Sequence, residues 1–77
     1  MDRYQAAMAR NEIEKQQYRY QLLIRSLEAK VERIEPNSVE FDNTLAAIFD
    51  AKTKIAELNQ QQWLLGYEEL ASVNTNA

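Results

Sequence analysis

Carboxylates are the side chains of this sequence whose type and spacing come nearest to catalytic chemistry. The chain has no histidine and no cysteine, which removes the commonest general base, the usual nucleophile–base pairs and most zinc and haem ligands. Glu28 and Glu32 are four residues apart and share a helix face, but that helix also carries many Arg and Lys side chains. A solvated polar face explains such pairs better than acid–base catalysis does. The sequence therefore predicts a protein that is not an enzyme and that binds no metal or other cofactor.

Glycine content and charge restrict the class of ligand. Gly66 is the only glycine, so no glycine-rich loop is present to bind a phosphate group. Residues 1–35 carry seven Lys/Arg and six Asp/Glu, whereas residues 36–77 carry two and six, for a net charge of −3. Neither half has the basic surface that neutralises nucleic-acid phosphates. We expect a protein partner or a second copy of the chain, and neither nucleic acid nor a small-molecule substrate.

The ends and the apolar runs of the chain indicate its compartment. The N-terminal segment lacks the charged and then apolar layout of a signal peptide. The longest apolar run, residues 45–49, is far too short to span a bilayer. We expect a soluble, cytoplasmic protein that does not insert into membranes.

The single proline marks a hinge between two long helical patterns. Pro36 has no amide hydrogen and disfavours helical backbone in the residue before it, so a first helix should end there. Asn37 is suited to cap a second helix, and Glu40 stands three residues later, as in a capping box. A connection this short returns the second helix along the first. The sequence thus predicts an all-α fold, an antiparallel two-helix hairpin with helices over residues 2–34 and 38–71.

Each helix has an apolar seam that is suited to face the other helix. Positions placed at 100° intervals give a seam on helix one that consists of Ala6, Ala9, Ile13, Gln16, Tyr20, Ile24, Leu27, Val31 and Ile34. The seam on helix two consists of Phe41, Ile48, Ala51, Ile55, Leu58 and Leu65. Large apolar residues of helix one cluster near Pro36, so we expect a hairpin that is tight at the hinge and looser at the termini.

Further apolar residues lie off these seams. On helix two they form a second line of Leu45, Phe49, Ala56, Trp63, Tyr67 and Leu70. On helix one they form a patch of Tyr4, Met8, Tyr18, Leu22 and Ala29. One antiparallel helix covers one stripe, so the second line would stay in water in an isolated hairpin. We expect a partner or self-association to cover it. The patch is either chance exposure on a long amphipathic helix or a second contact surface.

The end of helix two is ambiguous because Gly66 is able either to end a helix or to be tolerated inside one. The helical pattern continues after it, so we place the end of the helix near residue 71. Residues 72–77 form a polar tail that should fray. No linker or repeat divides the chain, which predicts one domain over residues 1–77.

The second half of the chain resembles the small co-chaperones of type III secretion needle subunits, which are helical hairpins. The similar features are the hinge proline, the segment Phe41-Asp42-Asn43-Thr44-Leu45, and the alternating alanine and isoleucine that continue to Ala56. Helix one is longer and more aromatic at its start than in that family. The resemblance implies a heterodimer with a helical-repeat chaperone that keeps the needle subunit monomeric in the cytoplasm. It assigns partner binding to the second line of helix two and to the patch of helix one.

Two other kinds of interaction protein fit the same residues. In the first, a self-assembling scaffolding protein, two hairpins pair through Phe49 and Trp63 into a four-helix bundle. In the second, a small bacterial or phage inhibitor or adaptor, one helix lies in a groove of a host protein.

Overall fold

The chain folds as two long helices that pack side by side. In the computed structural model, which describes the backbone of residues 2–75 and the side chains of residues 2–68, α1 spans Arg3–Val31 and α2 spans Val39–Thr75. Lys30 lies near Glu40 close to the hinge, and Gln17 contacts Asn59 farther from it, so the helices are antiparallel. Residues 2–75 contain no strand. The predicted all-α hairpin is confirmed.

The first helix begins at a capping box and ends before the proline. The Asp2 carboxylate accepts a hydrogen bond from the Gln5 amide at 2.7 Å, and the Gln5 side chain accepts one from the Asp2 amide at 3.4 Å. Together they satisfy two amides that a helix N-terminus leaves without partners. Val31 is the last helical residue, three residues before the predicted end at 34. Pro36 has no amide hydrogen to donate to the carbonyl of Glu32, four residues earlier, and its ring would clash with that carbonyl in a continuous helix, which agrees with Glu32 as the C-cap.

Ser38 caps the second helix, and the predicted Asn37–Glu40 capping box is wrong by one residue. The Ser38 hydroxyl accepts a hydrogen bond from the Phe41 amide at 3.0 Å and donates one to the Glu35 carbonyl at 2.8 Å. Asn37 has a φ of 71°, in the left-handed region that asparagine tolerates better than most residues. The sharp reversal after the proline needs such a residue, and this displaces the cap to the next position.

The second helix passes through Gly66 without interruption. It continues to Thr75, four residues beyond the predicted end, and its backbone is therefore helical over residues 72–75, where the sequence predicts a frayed tail. Residues 76 and 77 lie outside the described part of the chain. A Cβ atom added at Gly66 would have no neighbour within 4 Å. The glycine is thus a tolerated residue inside the helix.

The predicted seams form the core. The buried apolar residues are Ala6, Ile13 and Ile24 of α1 and Ile48, Ala51, Leu58 and Leu65 of α2. Ile13, Leu58 and Leu65 pack together with Ala9 and Tyr20 in the half of the hairpin away from the hinge. Burial therefore does not decrease toward the termini, where Ala6, Ile13 and Leu65 are all buried, and the expectation of a seam that loosens there is wrong in this respect.

Thr44 is a core residue that the sequence analysis did not include. It is only 4% exposed, and its hydroxyl donates a hydrogen bond to the Glu40 carbonyl one turn earlier at 2.7 Å. This local bond removes the cost of burying the hydroxyl group. Thr44 stands three residues after Phe41, four before Ile48 and seven before Ala51, which is the spacing of a heptad seam.

The hairpin is a rod of one layer. Its principal dimensions are 61 × 15 × 12 Å. Each helix packs only against the other, so the described side chains outside the seam are exposed or only partly buried. In residues 2–75 neither helix has a stretch that is both long and apolar enough to cross a membrane.

Candidate interaction surface

Two contacts between the helices identify the two sides of the rod. Gln17 Nε2 donates a hydrogen bond to Asn59 Oδ1 at 2.6 Å. Lys30 Nζ lies 3.6 Å from Glu40 Oε1. Successive helix residues are 100° apart, so Gln16 and Gln17 lie on opposite flanks of the seam, and Lys30, two heptads after Gln16, shares its flank. The Gln17–Asn59 bond therefore marks one side and the Lys30–Glu40 pair marks the other.

The Lys30–Glu40 side, which we call the charged face, is mainly polar. It also carries an ion pair between Lys54 and Glu57 with a separation of 3.5 Å. A shallow groove of about 420 Å³ follows the helix junction on this side and is lined by Ala9, Glu12, Ile13, Gln16, Gln61, Leu64, Leu65 and Glu68. Residues 2–68 contain no cluster of three His, Cys, Asp or Glu side chains that could hold a metal ion. The groove thus combines a few apolar atoms with a rim of carboxylates and amides.

The opposite side carries the aromatic residues of α2. Trp63 is four residues after Asn59, and Ala56 is three before it, so both are surface neighbours of Asn59. Phe49 lies one heptad before Ala56, and Leu45 lies one turn before Phe49. Phe49 and Trp63 are each 71% exposed. These residues form a ridge that runs along the Gln17–Asn59 side of the hairpin.

Helix α1 adds two tyrosines to the same side. Tyr18 directly follows Gln17, about 100° farther round α1, so it faces outward on the same side of the rod and lies close to the level of the Gln17–Asn59 bond. Tyr4 lies two heptads earlier on the same stripe, and both tyrosines are largely exposed. We call this side the aromatic face, and it consists of Tyr4, Tyr18, Leu45, Phe49, Ala56 and Trp63.

The structure places the predicted partner-binding residues at the surface. It also brings some residues of the helix-one patch to the same side of the rod as the second line of helix two. The described side chains among them are all exposed: Tyr4, Met8, Tyr18, Leu22, Leu45, Phe49, Ala56, Trp63 and Tyr67. The side chain of Leu70 lies outside the described residues. Tyr4 and Tyr18 share the aromatic face with the helix-two line. Met8 and Leu22 lie farther round α1, at its outer edge, and Tyr67 lies at the outer edge of α2.

Among the described residues 2–68, three large and exposed apolar side chains were missed from the sequence: Leu23, Val39 and Leu64. Leu23 lies one heptad after Gln16 and one before Lys30, on the charged face, and Leu64 lines the groove there. Val39 is the first residue of α2. Each stands outside the apolar lines of its helix, so a search for periodic stripes does not find it.

The carboxylate pair considered for catalysis is exposed. Glu28 and Glu32 both face solvent, and the Glu32 amide donates a hydrogen bond to the Glu28 carbonyl at 3.3 Å, as part of the end of α1. Exposure to water and a role in the helix terminus fit the interpretation of a solvated face.

Comparison of the chain with protein-family models, with curated proteins and with solved structures gives no match.

Proposed function

We propose that this chain is a non-enzymatic protein–protein interaction module that binds a helical surface through its aromatic face. The observation that carries the proposal is the exposure of Phe49 and Trp63, each 71% accessible, on the side of the rod that also presents Tyr18. Large apolar side chains that cluster on one face of a small protein are typical of a binding site. Aromatic side chains are also the residues most often found as anchors of interfaces.

The size of this surface is enough to drive binding. A buried aromatic side chain removes about 150 to 250 Å² from water, and each Å² of apolar surface is worth about 25 cal/mol. Phe49 and Trp63 each have 71% of their surface exposed, so covering both would contribute roughly 5 to 9 kcal/mol before the costs of association are subtracted. A helical partner fits because the anchors recur at heptad intervals along a straight helix, as in packing between helices.

A finer role follows from the resemblance described above. We propose that the module acts in the cytoplasm as a co-chaperone that, with a helical-repeat chaperone, masks an assembly subunit of the needle type. Its support is the residue pattern from Pro36 to Ala56. In this role Phe49 and Trp63 would contact the chaperone.

A pair of charge-matched variants tests whether the aromatic face binds a partner. Phe49→Glu adds a negative charge to the aromatic face, and Leu23→Glu adds the same charge to the charged face, where Leu23 is 45% exposed. We expect wild type and Leu23→Glu to retain the same partner from native cells and Phe49→Glu to lose it. With that partner purified, titration followed by Trp63 fluorescence should show an affinity for Phe49→Glu that is at least about tenfold weaker.

Circular dichroism provides the folding control, because both variants should keep the wild-type helix content. The proposal is wrong if Phe49→Glu is as helical as wild type and binds the purified partner with unchanged affinity. If Leu23→Glu alone lost binding, the binding site would lie on the charged face instead.

A further inference from the structure

We propose that the aromatic face pairs with the same face of a second copy of this chain, with α2 packed antiparallel on the other α2 around a two-fold axis at Ala56. This inference depends on the proposed function, since both use the aromatic face, but it assigns the occupant of that face. It rests on the spacing of the ridge, on the position of its charges and on the area that the isolated hairpin leaves in water.

The ridge has the spacing of a self-complementary surface. Phe49 and Trp63 are each seven residues from Ala56, or about 10.5 Å along the helix at a rise of 1.5 Å per residue. A two-fold axis perpendicular to α2 at Ala56 therefore brings Phe49 of each copy to the level of Trp63 of the other. An interface between identical copies requires this reciprocity of contacts. The small side chain of Ala56 lets the two helices approach closely at the centre, and two aromatic pairs flank it.

Charges on the face favour the antiparallel pairing over a parallel one. Lys52 is four residues before Ala56, so the two-fold axis brings it to the level of the neutral Gln60 of the other copy. A parallel arrangement would place Lys52 opposite Lys52. Like charges at a helix interface are unfavourable.

The exposed area of the hairpin is larger than a compact monomer of this size would have. A compact protein of 9.0 kDa exposes about 4,900 Å², whereas this chain exposes 6269 Å². The excess of roughly 1,400 Å² exceeds the ~800 Å² that each partner buries in a standard stable interface. A second hairpin on the aromatic face would convert the single layer into a four-helix bundle with two layers.

The oligomeric state tests the occupant of the face. In sedimentation or light-scattering experiments across a concentration series, wild type and Leu23→Glu should form dimers. Phe49→Glu and Trp63→Gln, with unchanged helix content, should require at least about tenfold higher concentrations to associate. A wild-type chain that stays monomeric into the high micromolar range, or dimers that survive in both face variants, would overturn the proposal.

Single cysteines test the arrangement, and the absence of native cysteine makes the experiment unambiguous. Ala56→Cys should form a covalent dimer under mild oxidation, because the axis brings this position next to itself. Asp42→Cys, on the same ridge, should remain uncross-linked, since 28 residues and about 42 Å separate the two copies of it. Leu23→Cys on the charged face controls for random collisions. Cross-linking at Asp42, or its absence at Ala56 in a proven dimer, contradicts the two-fold arrangement.

The outcome also separates this inference from the proposed function. If wild type is monomeric but Phe49→Glu loses a partner from native cells, the face binds a different protein and self-pairing is wrong. If Phe49→Glu affects neither self-association nor partner binding, both proposals are wrong.

Discussion

At the scale of single residues, the hinge depends on two neighbours with different tasks. Asn37 supplies the left-handed backbone that reverses the chain, and Ser38 then satisfies the amide of Phe41 and the carbonyl of Glu35. The side chain of Ser38 thus connects the turn to the first turn of α2. Asn37 acts through its backbone conformation and Ser38 through hydrogen bonds to backbone groups, so neither contribution to stability depends on apolar burial.

Replacement of Ser38 by alanine should destabilise the hairpin by about 1 kcal/mol, within the range of 0.5 to 2 kcal/mol for the loss of an N-cap. Urea denaturation followed by circular dichroism measures the change. Under the alternative, in which Asn37 caps the helix and position 38 lies inside it, alanine at 38 would be neutral or slightly stabilising. An unchanged unfolding midpoint would therefore contradict the assignment of Ser38 as the cap.

At the scale of the helix, Gly66 tests the continuity of α2. Because a Cβ atom added there meets no neighbour within 4 Å, Gly66→Ala should stabilise the protein by about 0.5 to 1 kcal/mol through its better helix propensity. Thermal unfolding should show a midpoint several degrees higher. A lower midpoint would mean that the chain needs a glycine backbone at this point and that the helix ends there.

Two leucines of α2 provide a matched test of the seam. Leu58 is buried in the core cluster, whereas Leu64, six residues later, is 58% exposed. Leu58→Ala should cost about 2 to 5 kcal/mol, as for other large-to-small changes in a core. Leu64→Ala should change stability by about 0.5 kcal/mol or less, as surface substitutions do. Urea denaturation compares the two, and similar losses of stability would show that α2 is rotated relative to the seam described here.

At the scale of the whole molecule, one seam gives a small core for 77 residues. A chain of this size is marginal when alone, and any association that favours the folded state raises its apparent stability. We therefore expect the thermal midpoint of wild type to rise with protein concentration. The midpoint of Phe49→Glu should depend much less on concentration. A wild-type midpoint that is constant over a hundredfold range would contradict coupling between stability and association.

Trp63 reports the same event optically. In dilute protein its emission should be red-shifted, because the indole is mostly in water, and it should move to shorter wavelength as the aromatic face is covered. The same concentration series that gives the thermal midpoints supplies the spectra. Emission that is already blue-shifted in a proven monomer would contradict the exposure of Trp63.

The hairpin and its exposed apolar residues could largely be predicted from the sequence. Which of those residues from the two helices lie on the same side of the rod could not. The heptad spacing of Ile48, Ile55 and Leu58 identifies the inner seam, because apolar residues at this spacing stay on the helix face that contacts the neighbouring helix. It does not show that Tyr18 and Trp63 share a face, since this depends on how the flanks of two helices are paired by contacts such as Gln17–Asn59. The prediction that Asn37 caps α2 is wrong because asparagine is suited both to an N-cap and to a left-handed turn, and its type alone does not distinguish the two.

The position of the core cluster has a consequence for the order in which the hairpin forms. The hinge between Val31 and Val39 is short, so closing the chain there is fast and costs little entropy. Ile13 and Leu65, by contrast, meet across 52 residues of sequence. Helix pairing should therefore start beside the hinge and reach the cluster of Ile13, Leu58 and Leu65 last.

In rate measurements by stopped-flow mixing, Ser38→Ala should then mainly slow folding. Leu58→Ala should mainly accelerate unfolding, because its contacts form after the rate-limiting step. The reverse pattern would place the nucleus at the open end of the rod. We thus expect the core cluster to determine the unfolding rate of the hairpin and the turn to determine its folding rate.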